Sequence, residues 1–111
     1  MLIKDHHCLE SIIEAIDRII EYTSEFDSAD EFNNDYRNFD ATMMNFVVIG
    51  EMTDKLSEDF KQDHDIIEWV KIKGFRNIVA HDYFGIDAEE VWQIIKNKIP
   101  SIKIEIQTLL D

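Results

Sequence analysis

The chain has 111 residues, 45% of them hydrophobic, with three glycines and one proline. That composition suffices for one domain with one core, 1–111, and offers too few turn residues for a sandwich or barrel. With 24 acidic and 11 basic side chains the net charge is −13, which excludes a general nucleic-acid-binding surface, so any nucleic acid must be met in a local basic pocket.

Cys8 is the sole cysteine, so no intrachain disulfide can form, which suits a reducing cytoplasm. The opening "MLIKDHHCLE" lacks the apolar run of a signal peptide, and no stretch approaches the roughly 18 apolar residues of a membrane span.

Four helical segments are expected in chain order. In the first, Leu9, Ile12, Ile13, Ile16, Ile19 and Ile20 form one apolar stripe at helical spacing, which fades into the polar "TSEFDSAD". Ser28 and Glu31 suit a capping box for a second segment from about Phe32 to about Phe60. One of its sides carries Tyr36, Phe39, Met43, Phe46, Val47 and Gly50; another carries Ala41, Met44, Val48 and Met52. A helix apolar nearly all round is covered on more than one side, either as the central helix of its own bundle or by a second protomer.

Asp65 and Glu68 suggest a capped start for the third segment, "IIEWVKIKGFRNIVAH", and Asp87 and Glu90 for the fourth. In the fourth, Val91, Ile95, Ile99, Ile102, Ile106 and Leu109 keep helical spacing, and Pro100 predicts a kink or short break. Internal repeats, low-complexity tracts and long linkers are absent. The expected architecture is all-α: a compact antiparallel four-helix bundle with a Pro-kinked last helix.

The chemistry concentrates in "RNIVAHDYFG", residues 76–85. Residues 69–81 contain no acid but hold Lys71, Lys73 and Arg76, a local positive patch on a negative chain. Cations at a helix end that complement the macrodipole would explain the lysines but not the crowding of Arg, His and Tyr. Asn77 and His81 are four apart and share a helical face, whereas Arg76 and His81 are five apart, about 140° around the axis. Alternatively the helix ends near His81, and Gly85 makes the turn before Asp87, leaving His81 and Tyr83 at a junction.

Histidine titrates near neutrality and serves as a general base or acid, and arginine forks onto a phosphate. Together they suit RNA phosphodiester cleavage by the neighbouring 2′-hydroxyl, which needs no metal; no carboxylate cluster accompanies them in the sequence. The reaction profits from two proton-transfer groups, and a symmetric dimer would bring two histidines. On spacing alone, an Arg76 paired with an acid and a His81 capping a helix end is the favoured account of these residues. His6, His7 and Cys8 are adjacent, so they point to different sides of a helix and make a poor metal site. Trp69 and Trp92 are expected in the core rather than stacking bases, Phe75 could serve either purpose, and the acids of "SEDFKQDHD" are expected in solvent.

"RNIVAHDYFGID" resembles the signature of the HEPN superfamily, and the extension His81-Asp82-Tyr83 resembles the narrower HepT family. The likeness extends over "YRNFDATMMNFVVIGEMTDKLSEDF", with its Ile49-Gly50-Glu51, and over "IIEWVKIKGFRNIVAHDYFGIDAEEVWQIIKNKIP". It implies an all-helical, homodimeric, metal-independent endoribonuclease toxin of a type VII-like toxin–antitoxin pair, without cofactor, whose Arg-x4-His motifs meet at the dimer interface. It also implies a minimal nucleotidyltransferase antitoxin that silences the toxin by transferring AMP to the Tyr of His-x-Tyr. Carried over, Arg76 and His81 are the catalytic pair, Asn77 a supporting polar group and Tyr83 the modification site. Glu51 matches a family position whose expected role is structural, an ion pair near the cleft. The alternative implied by the resemblance is a non-catalytic, substrate-binding partner of the nucleotidyltransferase.

Overall fold

Leu9, Ile12, Ile16 and Ile19 are all buried, and they form the inward stripe of α1 (Ile3–Thr23). Ile13 and Ile20, also on the expected stripe, lie at its more accessible edge. The computed structural model describes the backbone of residues 1–82 and 87–111, and the side chains of these except 80–82. The described residues are helical in eight stretches, all-α as expected. After α1 come α2 (Ala29–Asn34), α3 (Tyr36–Lys55), α4 (Glu58–Asp63), α5 (Trp69–Lys73), α6 (Phe75–Asp82), α7 (Ala88–Asn97) and α8 (Ile99–Leu110). α3 packs on α1, α5 and α6, while α8 closes on α1 and α7, and α2 leans on α7.

Polar side chains cut the expected long segments. The second, read as continuous from about Phe32 to about Phe60, is three helices. Asp35 ends α2 and caps α3, its carboxylate accepting the Asn38 N–H at 3.1 Å. Ser57 caps α4, accepting the Phe60 N–H at 3.2 Å. Short Asp and Ser side chains satisfy the free N–H groups of a first turn, so each starts a new helix where periodicity alone continues the old one. The Ser28 cap forms as expected, on the Glu31 N–H, while the Glu31 carboxylate reaches Asp27 N rather than the cap residue. Asp87 caps α7 through the N–H groups of Glu89 and Glu90.

The third segment is shorter than its periodicity suggests. The start expected at Asp65 does not form: α5 begins at Trp69 with no side-chain cap, and Glu68 instead pairs with Lys71. Gly74 then separates α5 from α6. Pro100 stands in the first turn of α8, where a missing N–H costs no helical bond, and Lys98 marks the break after α7.

The core holds Phe32 against Phe39 and Trp92, and Phe46 edge-on to Phe75 at 5.5 Å between centroids. Both tryptophans and Phe75 are buried, so all three are packing residues. No described helix is long and apolar enough to cross a membrane. α3 is covered only in part: Phe39, Met43, Phe46, Ile49 and Gly50 are buried, Ala41, Val47, Val48 and Met52 are half-buried, and Met44 is 61% exposed. Tyr36, expected on the inward side, is exposed at the helix start.

The buried carboxylate of Asp5 ties α1 to α4, accepting Ser57 N–H at 2.8 Å and Ser57 Oγ–H at 2.7 Å. Ser57 is thereby held in place to cap α4. Asp5→Ala strands a part-buried N–H and removes two bonds to a charged acceptor, so urea denaturation should show a loss of roughly 2–4 kcal/mol. A midpoint equal to that of the unsubstituted chain would show that this link does not hold the helices together.

Candidate active site

Gly50 sets the geometry. A Cβ built there would lie 2.8 Å from the Lys73 carbonyl oxygen, 3.0 Å from Arg76 Cβ and 3.1 Å from Arg76 N. The backbone of α3 therefore lies directly against the α5–α6 junction, an approach that only a residue without a side chain permits. One residue on, Glu51 Oε1 accepts from Arg76 Nη1 at 2.9 Å. One turn further along α3, Asp54 Oδ2 lies 3.9 Å from the same Nη1, and its Oδ1 takes Lys73 Nζ at 2.9 Å. Arg76 keeps 34% of its side chain exposed and Glu51 44%, so the guanidinium is anchored yet reachable.

The expected positive patch is therefore internally neutralised: Lys71 meets Glu68, Lys73 meets Asp54 and Arg76 meets Glu51. The hydrogen bond from Lys73, and then its charge, hold the Asp54 carboxyl below its ordinary value; the charge of Arg76 adds a smaller push. The ion pair expected of Glu51 near the cleft forms, with Arg76, and Asp54 stands beside it as a second flanking carboxylate. A usable signal lay in the sequence: after Gly50, Glu51 and Asp54 stand three apart on one helical face. The partner of Asp54 could not be read that way, because the Lys73–Asp54 pair joins two helices.

The backbone of His81 is helical, in the last turn of α6, five positions after Arg76. A regular helix sets those two positions about 7.5 Å apart along the axis and about 140° apart around it. Asn77, exposed and four residues before His81, shares the latter's helical face. The side chain of His81 lies outside the described residues, as do Tyr83 and Gly85 entirely. His6 and His7 both reach Glu10, at 3.3 and 3.6 Å, while Cys8 is buried. Burial, and next the negative charge of Asp5, raise the Cys8 thiol above its ordinary pKa. Among the described residues no three His, Cys, Asp or Glu side chains converge as a metal-binding group.

The family model described as "Ribonuclease HepT-like" matches residues 12–109, a span that includes Gly50, Glu51, Arg76, His81 and Tyr83. A protein of Thermococcus cleftensis named "Probable ribonuclease HepT" is 35% identical over 101 residues, 91% of this chain and 91% of its own length. A candidate RNase of Methanocaldococcus jannaschii is 33% identical over 99 residues, 89% of this chain and 90% of its own. A candidate RNase of Caldanaerobacter subterraneus is 28% identical over 102 residues, 92% and 90% of the two chains. No solved structure gives a significant match. The full-length similarity and the family match over nearly the whole chain agree with the all-α fold: the chain belongs to the ribonuclease HepT-like family.

Proposed function

We propose that this chain is a metal-independent endoribonuclease, the toxin of a toxin–antitoxin pair, with Arg76 and His81 as its catalytic groups. The observation that carries the reading is Arg76 itself. It is anchored at 2.9 Å and still one-third exposed, on the helix that also bears His81, in a chain of a ribonuclease family. In the proposed reaction His81 takes the proton of the RNA 2′-hydroxyl. The freed oxygen attacks the adjacent phosphorus, the bond to the 5′-oxygen breaks, and a second acid protonates that leaving oxygen. Arg76 faces the charge that builds on the phosphorane, and Asn77 supports the same face as His81.

The second acid is the His81 of a second copy. Positions 76 and 81 diverge by about 140° on one helix, and a symmetric second copy would supply a second histidine for the leaving oxygen. The half-covered outer side of α3, with Met44, Val47 and Val48, continues toward Glu51 and offers the surface on which two copies meet. The RNA substrate puts the activity in the cytoplasm. In this reading a minimal nucleotidyltransferase antitoxin silences the toxin by attaching AMP to Tyr83. The adduct would bring a phosphodiester close to Arg76 and block by mimicry as well as by bulk.

The test uses purified chain and total cellular RNA, with and without EDTA. Cleavage should persist in EDTA and leave 2′,3′-cyclic phosphate ends, and light scattering at micromolar concentration should give a dimer mass. Loss of activity in EDTA, 3′-hydroxyl ends or a monomer mass would overturn the corresponding part. A dimer that leaves RNA intact would favour a non-catalytic partner of the nucleotidyltransferase. Co-expression with that enzyme should add AMP-sized mass increments that map to Tyr83. A Tyr83→Phe chain that still acquires AMP and loses activity would refute the switch.

A further inference from the structure

A phosphate-binding arginine on a chain of charge −13 has a specific hazard, which is capture by its own carboxylates. Arg76 stands at that risk, because Nη1 faces both Glu51 at 2.9 Å and Asp54 at 3.9 Å. The two acids are three residues apart on α3, within reach of one guanidinium fork. Lys73 decides between them. It is the last residue of α5, and its Nζ sits 2.9 Å from Asp54 Oδ1. Gly50 fixes this arrangement from below, since the Lys73 carbonyl and the Arg76 backbone both rest on it. The low titration range of Asp54, set first by Lys73 and only weakly by Arg76, describes the same division of partners.

We propose that Lys73 is a positioning residue: by occupying Asp54 it leaves Glu51 as the hydrogen-bonded partner of Arg76 among the described residues and keeps the guanidinium available to an RNA phosphate. The proposal rests on the reading of Arg76 as the phosphate-contacting group. Without Lys73, Asp54 loses its nearest cation while its Oδ2 stays 3.9 Å from Nη1. It would close on the guanidinium and compete with substrate. Removing the Asp54 charge as well should undo that capture.

The variants are Lys73→Met, the double variant Lys73→Met/Asp54→Asn, and the charge-matched double Lys73→Met/Asp30→Asn, in which the neutralised acid lies in the first turn of α2. Arg76→Ala is the gate. The readouts are binding of a non-cleavable 2′-deoxy oligonucleotide, kcat and KM on the matching oligoribonucleotide, and the 15N spectrum of the Arg76 guanidinium. Lys73→Met should weaken binding and cleavage by about tenfold, the effect of removing one charge-assisted hydrogen bond between Arg76 and the phosphate. Lys73→Met/Asp54→Asn should recover most of that loss, whereas Lys73→Met/Asp30→Asn should not. In the spectrum, Lys73→Met should slow guanidinium rotation, and the Asp54 double variant should restore it.

Equal recovery in both double variants would mean that Lys73 acts through net charge, and would overturn the proposal. So would an Arg76 spectrum that Lys73→Met leaves unchanged. If Arg76→Ala binds and cleaves as the unsubstituted chain does, the functional reading fails. The spectrum then still decides, on its own, whether Lys73 keeps Asp54 from Arg76.

Discussion

Arg76→Ala and His81→Ala should each lower RNA cleavage by at least about 100-fold while the protein remains folded. A positioned general acid or base contributes roughly 10²–10⁴-fold, and a donor aimed at developing charge contributes about 10²–10³-fold. The proposed roles make both residues indispensable to the chemical step, so the loss should fall on kcat as well as on kcat/KM. The folding cost of removing Arg76 is small by comparison. Its pair with Glu51 is partly exposed on both sides, and such pairs contribute about 0–1 kcal/mol. Helical content and urea midpoint should therefore stay close to those of the unsubstituted chain. Arg76→Lys keeps the charge but loses the planar fork, and should fall between the two. Undiminished cleavage by either alanine variant would remove that residue from the mechanism.

Gly50→Ala should destabilise the protein and impair cleavage together, although alanine is the better helix former. In the interior of α3 the exchange gains about 1 kcal/mol of helix propensity. Against it stands a Cβ that would sit 2.8 Å from a backbone carbonyl oxygen. A flexible side chain could swing aside, but the Lys73 carbonyl belongs to the last turn of α5 and moves only with its helix. Overpacking of this kind costs about 1–3 kcal/mol, so the net effect should be a loss of up to about 2 kcal/mol. Relief of the clash drives the α5–α6 junction outward, and Arg76 goes with it. Cleavage by the fully folded variant should then drop by about tenfold or more, since small misplacements cost that much in rate. A Gly50→Ala chain that is more stable and equally active would show that α3 and α6 tolerate greater separation.

The sequence by itself determined the helical class, the buried stripes of α1, α7 and α8, the caps at Ser28 and Asp87, and the break near Pro100. Each depends on residues within about a turn of one another, so periodicity and cap chemistry suffice to read them. Arg76, His81 and Tyr83 stood out through the resemblance to a known family, since their spacing alone favoured a structural reading. Tertiary structure decided what surrounds Arg76 and where the long segments break. Asp35 and Ser57 divide a segment that looked continuous, because a side chain bonded to a free N–H outweighs an unbroken apolar pattern. Ser57 does so while held by the carboxylate of Asp5, more than 50 residues earlier in the chain. Glu51, Asp54, Lys73 and Arg76 form one charge cluster only because Gly50 lets α3 touch the α5–α6 junction. Ion pairing across helices depends on the distance between helices. That distance is set by packing, and here by one absent side chain.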